Sequence, residues 1–409
     1  MLARIYSQRH LVASVGARSA LGLAISVSTV ASHEAAASVE LFQLLLLQSV
    51  FSILISGAGF IKGITAGTVR NFRSILTAYA SYAALLAVIA AILVHAVLPN
   101  SLVGTLTSAA WKIDLLLVGA VGASLTPLVQ GFLVADGQPG RAYVPASVLS
   151  LVATALLLGY SGLTADLILM IWCLSQVAIF VVTACLVSDT MPPHAADHGS
   201  PESFASLIGG TASIGVINGL NMFIVFSFRE FWSEHSDAAI AASVFFALRV
   251  SDVVLQIMFN AVATQQLSVR AIIESRVTRM ALGIMATLFL VLCTALAFAH
   301  DQTGYLAIGW IGLCIAIIIQ SIVDILRIGS SYATIVILRT ELPHVYGVVA
   351  IVPTLTAALL AWSTFPLARE AVIYLFQISA AMLQIGACYG YLRHRLDRQT
   401  YPADRIRRS

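Results

Sequence analysis

The sequence has few charged residues for its length: Asp, Glu, Lys and Arg together make up 10% of the 409 residues. A soluble domain carries about a quarter charged residues, so this composition argues against an ordinary soluble protein. Apolar residues make up 59% of the chain, and the mean hydropathy is +0.93. We therefore predict a membrane protein.

Several features of enzymes and nucleotide-driven pumps are also missing. The chain has no GxxxxGKS/T phosphate-binding loop, which argues against an ATPase domain within it. Its five cysteines lack CxxC spacing and fall in or beside apolar runs, where they are typical packing residues. His194 and His198 lie in a proline-rich segment without a nearby cysteine, so we expect a solvated loop and no metal site. We predict neither an enzyme nor a bound cofactor.

Apolar runs of about twenty residues divide the chain into about twelve candidate transmembrane helices. The loops between them are too short to hold a separate catalytic domain, and one proline-rich linker lies near the midpoint. The predicted parts are an N-terminal six-helix bundle (1–187), a cytosolic linker (188–203), a C-terminal six-helix bundle (204–392) and a basic cytosolic tail (393–409).

The distribution of positive charge predicts the topology. With the N-terminus inside, 16 of the 22 Lys and Arg residues fall on the cytosolic side and three on the outer side. Cytosolic loops of membrane proteins are enriched in these residues, so both termini are predicted to be cytosolic. Tryptophan is enriched at membrane interfaces. Four tryptophans fall at outer ends of predicted spans: Trp111, Trp232, Trp310 and Trp362.

The two halves of the chain carry similar segments at nearly one offset. The stretch from Ser32 is echoed 201 residues later from Ser233, and the stretch from Pro139 is echoed 204 residues later from Pro343. Six spans per half is an even number, so two copies would point the same way across the membrane. We predict an all-α polytopic protein of two six-helix parallel-repeat bundles around a central cavity, as in alternating-access transporters.

The predicted eighth span, residues 238–264, carries a polar stripe of Arg249, Asp252, Gln256 and Asn260. Their spacing of three, four and four residues places them on one helix face. A charge in hydrocarbon costs about 2.5 to 3.5 kcal/mol on insertion scales, so the stripe should face partner helices or water. An intrahelical Arg249–Asp252 pair is the structural alternative.

Other predicted spans carry similar polar groups. Gln320, Asp324 and Arg327 follow the same spacing in the tenth span. Asn218 and Asn221 lie in the seventh span, and Arg18 lies in the first. Hydrogen bonding between helices is the alternative explanation for any single amide. Together these residues predict a polar, cationic cavity that would suit an anionic group attached to hydroxyl-rich material.

Arg18 in the first span, the charged eighth span and the Gly137–Arg141 turn (GQPGR) after the fourth span carry a family resemblance. With two six-span halves, they resemble the polysaccharide flippase branch of the multidrug, oligosaccharidyl-lipid and polysaccharide exporter superfamily. The resemblance implies a bacterial inner-membrane protein that moves undecaprenyl-pyrophosphate-linked oligosaccharides by alternating access, for exopolysaccharide or O-antigen synthesis. It also implies that Arg18 and Arg249 meet the pyrophosphate and sugar.

The implied partners are the lipid-linked glycan, membrane lipids and polysaccharide polymerase or export machinery, with no nucleic acid. A cation-coupled multidrug exporter of the same superfamily is the first alternative. Asp252 and Asp324 would then serve a cationic substrate and a coupling ion, a proton or Na+. A membrane polysaccharide polymerase or ligase is a weaker alternative. Members of those enzyme families have a large outer loop that carries catalytic residues, and every predicted outer loop here is short.

Overall fold

The structure is a computed structural model that describes residues 9–32, 35–56, 72–97, 110–160, 162–188, 204–249, 343–366, 369 and 371–406, with isolated positions between 316 and 337. Every regular element in this described part is an α-helix. Six of its helices are long and apolar enough to cross a membrane. The predicted all-α, multi-pass membrane fold is confirmed.

The helices are numbered in chain order. They are α1 (Arg9–Ser32), α2 (Ala35–Ser56), α3 (Phe72–Val97), α4 (Ala110–Ala135), α5 (Pro139–Gly159), α6 (Ala165–Ser188), α7 (Phe204–Glu234), α8 (Ala238–Arg249), α9 (Pro343–Thr364) and α10 (Val372–Ile406). The predicted spans agree with these helices to within a few residues at most ends. Two helices continue further: α7 extends to Glu234, beyond the predicted span end at Phe228, and the last helix extends to Ile406, beyond the predicted end at Leu392.

The described chain forms two compact units, residues 9–226 and 227–406. The first unit contains α1 to α6 and most of α7, and the second contains the last turns of α7 with α8, α9 and α10. Most of the predicted linker lies outside the described residues. So do five of the predicted site residues, Asp252, Gln256, Asn260, Asp324 and Arg327.

Large apolar side chains cover the outer faces of several helices. On α3, exposed Leu85, Val88, Ile89 and Ile92 recur at helical spacing. Comparable rows of exposed valine and leucine run along α5 and α9. A surface of this kind is stable when it contacts lipid, so these rows mark the membrane-facing sides of the helices.

The turn between α4 and α5 shows why the helix boundaries fall where they do. Gly137 has a φ of +75°, the left-handed conformation that glycine adopts at helix ends. Its N–H donates to Val134 O at 3.1 Å, and Gln138 N–H donates to Leu133 O at 2.8 Å. Pro139 then opens α5. The apolar run in the sequence predicts a later start for this fifth span, at about Tyr143. Proline suits a first helical position because no intrahelical partner is lost there.

Helices α2, α4 and α6 run parallel in a fixed register. Near the starts of these helices, Lys112 Nζ lies 3.7 Å from Glu40 Oε1 and 3.0 Å from Asp166 Oδ1. Further along, Ser124 Oγ donates to Ser52 O at 3.0 Å, with the same 72-residue offset that separates Glu40 from Lys112. The ionic cluster therefore ties the starts of three spans together at one end of the bundle.

Aromatic contacts join the end of α7 to the end of α9 and the start of α10 in the second unit. Phe228 on α7 stacks on Phe376 of α10, with ring centroids 4.3 Å apart. Phe231 stacks on Trp362 at the end of α9, also at 4.3 Å. The buried Trp232 indole donates from Nε1 to Arg369 O at 2.9 Å. Because tryptophan combines an apolar body with one donor, it fits where a helix leaves the hydrocarbon.

Candidate functional site

Arg18 lies on α1 where that helix packs along α5. Two contacts fix the pairing of the helices. A Cβ on Gly140 would lie 3.8 Å from His10 Nε2, and Ser28 Oγ donates to Leu157 O at 3.4 Å. Arg18 lies between these two contacts, about 14 Å from the start of α1 at 1.5 Å per residue. Its position is therefore inside the first bundle and well away from either end of the helix.

The Arg18 guanidinium is incompletely satisfied. Its Nε and Nη2 atoms are buried and have no hydrogen-bond partner among the described residues. Tyr143 on α5 lies close enough to interact electrostatically with the Arg18 guanidinium. A buried donor without an acceptor costs about 1 to 3 kcal/mol, and more when it is charged. The cation that the sequence predicts in the first span therefore retains two buried donor atoms without an acceptor in the described part of the chain.

Three further helices of the first unit carry a buried polar atom that has no hydrogen-bond partner in the described part of the chain. These atoms are Gln48 Nε2 on α2, Ser150 Oγ on α5 and Asn221 Oδ1 on α7. Native proteins satisfy nearly all of their buried polar groups, so several exceptions in one bundle indicate sites for water or a ligand. Together with α1, four helices of the first unit therefore carry buried polar atoms of this kind.

The predicted pair on the seventh span belongs to this unit as well. Asn218 and Asn221 are both half-buried on α7. Between them Gly219 lies against α2: a Cβ there would fall 2.5 Å from Leu54 Cδ1. The close approach of the two helices brings the asparagine-bearing segment of α7 against the end of α2.

Two other predicted site residues fall in the second unit. Arg249 ends the described part of α8 and is half-buried. Gln320 is buried, with 2% of its surface exposed. The structure therefore places Arg18, Asn218 and Asn221 in one unit and Arg249 and Gln320 in the other. The role predicted for the stripe that begins at Arg249 stays a prediction, since its other members lie outside the described residues.

The structure also reveals polar residues that the sequence interpretation passed over. Trp172 Nε1 on α6 donates to Gln48 Oε1 on α2 at 3.0 Å. Gln43, Gln130 and Gln176 are buried in the same three-helix group. Glutamine in an apolar span was an available signal. The stripe pattern does not predict these residues, because Gln43 and Gln48 are five residues apart and so do not lie on one helix face.

Within the described part of the chain, no three or more His, Cys, Asp or Glu side chains form a cluster that could hold an ion. Of the described cysteines, Cys173 and Cys388 are buried, as expected for packing residues, whereas Cys185 is exposed.

Comparison with known proteins gives matches by structure. A multidrug resistance MATE family transporter of the MOP superfamily, solved in an outward-facing conformation, matches with a TM-score of 0.54. It is 14% identical and covers 94% of this chain and 95% of its own. The eukaryotic MATE transporter AtDTX14 matches with a TM-score of 0.59 at 11% identity, covering 95% of this chain and 96% of its own.

The chain has the MATE fold. At this level of identity the likeness concerns architecture and carries no substrate with it. A MOP superfamily transporter from Pyrococcus furiosus, described as having a binding pocket of reverse polarity, matches equally well: its TM-score is 0.58 at 12% identity, with 95% of this chain and 94% of its own covered. No protein-family model and no curated protein sequence matches the chain.

Proposed function

We propose that this protein is an alternating-access exporter. The observation that carries the proposal is the match of nearly the whole chain to MATE transporters, which have been solved in outward-facing, straight and bent conformations. The match to the straight form has a TM-score of 0.59 over 95% of this chain. Buried polar atoms without partners inside the first unit support it, because a transporter must offer polar groups to its cargo within the membrane.

The comparisons favour a cation-coupled multidrug exporter over a glycan flippase. One matched protein is named as a multidrug resistance transporter. Such an exporter would need acidic groups for a cationic drug and for a coupling ion, a proton or Na+. We assign this task to Asp252 and Asp324, as the sequence suggested.

Arg18 favours a second candidate, the flippase of lipid-linked oligosaccharides. A buried cation attracts an anionic group such as a pyrophosphate and repels a cationic drug. The neighbour from Pyrococcus furiosus is a precedent for a superfamily member whose pocket polarity suggests a different function. In this candidate the bacterial inner membrane is the location, both termini are cytosolic, and polysaccharide polymerase or export machinery is the partner.

Transport into proteoliposomes separates the two substrate classes. The purified protein is tested with ethidium, a planar cation, and with a polyprenyl-pyrophosphate-linked oligosaccharide. If the cargo is anionic, Arg18→Ala should lower its transport at least tenfold, because the anion loses a charged donor worth about 1.5 to 3 kcal/mol.

If the cargo is cationic, Arg18→Ala should leave ethidium transport unchanged or faster. Arg141→Ala is the matched control, since Arg141 is an exposed arginine at the start of α5 and should have no effect on either substrate. A wild-type protein that moves neither substrate would refute the exporter.

A further inference from the structure

Gln48 and Trp172 join two helices inside the first unit. The indole Nε1 of Trp172 donates to Gln48 Oε1 at 3.0 Å. Gln48 lies eight residues after Glu40, which marks the end of the bundle held by the ionic cluster. At 1.5 Å per residue this places the amide about 12 Å below that end, within a hydrocarbon core about 30 Å thick. The pair therefore lies at membrane depth, where an unsatisfied amide is costly.

The tryptophan fixes the orientation of the amide. Side-chain oxygen and nitrogen of glutamine are assigned from their partners, and an indole N–H can only donate. If the amide were turned over, its NH2 group would face another donor. Oε1 must therefore point at Trp172, which leaves Nε2 directed elsewhere.

Gln48 Nε2 has no acceptor among the described residues. Gln48 itself is buried, with 2% of its surface exposed. The neighbouring hydroxyls on α2 are engaged with their own helix, since Ser49 donates to Leu45 O and Ser52 donates to Gln48 O. A fixed, buried donor beside a half-buried indole is suited to bind an acceptor oxygen on a ring that packs against the indole.

We infer that Gln48 and Trp172 form a neutral subsite that binds a hydroxyl or carbonyl oxygen of the transported molecule. The subsite rests on the exporter function proposed above and adds a recognition element to it. The pair carries no charge, so it does not distinguish cations from anions. It selects for an acceptor oxygen next to a ring, a chemistry that sugars and many planar drugs share.

The test compares variants in nanodiscs, with binding and thermal unfolding measured on the same samples. The probes are a polyprenyl-pyrophosphate-linked oligosaccharide and a planar drug with a ring carbonyl, a fluoroquinolone. Gln48→Met should weaken binding by about tenfold for whichever probe the wild type binds. A tenfold loss corresponds to about 1.4 kcal/mol. Ser49→Ala, which removes a neighbouring hydroxyl on the same helix, should bind normally.

A double variant separates recognition from structure. Removing both members of a hydrogen-bonded pair is close to neutral for stability, so Gln48→Met with Trp172→Phe should unfold near the wild-type temperature. Its binding should nevertheless remain about tenfold weaker. Normal binding by Gln48→Met would overturn the subsite while leaving the exporter intact, and would mean that Nε2 meets only water. Failure of wild type to bind or move either probe would overturn both.

Discussion

At the scale of single residues, burial of Arg18 has a desolvation cost that its contacts with the described residues do not fully offset. Its Nε and Nη2 atoms are buried without a partner in the described residues. Removing a buried polar group that has no partner relieves a desolvation cost, whereas removing one partner of a satisfied pair creates such a cost. The sign of the stability change therefore reports whether Arg18 serves the fold or a ligand.

We expect Arg18→Met to raise the stability of the ligand-free protein by about 1 to 3 kcal/mol. Methionine keeps an unbranched, apolar side chain that can fill part of the space and removes the unpaired donors. The measurement is thermal unfolding in nanodiscs, with Arg18→Lys as the control that keeps the charge. A destabilisation of similar size by Arg18→Met would show that the guanidinium holds the α1–α5 contact together, and would weaken its assignment to cargo.

At the scale of helices, the close contact of α4 with α6 depends on two glycines one turn apart. A Cβ at Gly119 would lie 2.9 Å from Cys173 Cβ, and one at Gly122 would lie 2.9 Å from Val177 Cα. Membrane helices gain little from the hydrophobic effect when they associate, so small residues that let backbones approach are common at their contacts. The two glycines set the spacing on which the α2–α4–α6 register rests.

Gly122→Ala should lower the stability of the first unit by about 1 to 3 kcal/mol, the usual cost of overpacking. The added methyl meets the backbone of α6, which cannot rotate away as a side chain could. Gly16→Ala is the matched control on α1, because a Cβ there has nothing within 4 Å. It should be neutral or slightly stabilising, since alanine favours helix by about 1 kcal/mol over glycine. Equal melting temperatures for the two variants would contradict the close contact.

Helices and their ends were largely predictable, since apolar runs of membrane length leave few alternatives. The start of α5 was misplaced because its first turn is polar: hydropathy places the start at Tyr143, while proline geometry places it at Pro139. The candidate site was harder to predict from the sequence. Sequence pattern finds charges such as Arg18, but the bond from Trp172 to Gln48 joins residues 124 positions apart, and periodicity along one helix carries no information about such a pair.

At the scale of the whole molecule, the starts of corresponding helices recur at nearly one offset. Helix α2 begins at Ala35 and α8 at Ala238, 203 residues later, while α5 begins at Pro139 and α9 at Pro343, 204 residues later. An even number of spans between the copies preserves their direction. The recurrence therefore supports the interpretation of parallel repeats.

Orientation in the membrane is open to a direct test. Three described helices, α5, α6 and α7, separate the exposed Asp136 from the exposed Glu234, so these residues should lie on opposite sides. The excess of Lys and Arg on one side predicts that Asp136 is cytosolic. In a protein with its five native cysteines replaced, Glu234→Cys should react in intact cells with a thiol reagent that cannot cross membranes. Asp136→Cys should react only after the cells are permeabilised.

Reversed accessibility would invert the topology, and with it the leaflet from which cargo is taken. Labelling of both sites from one side would be incompatible with three crossings between them.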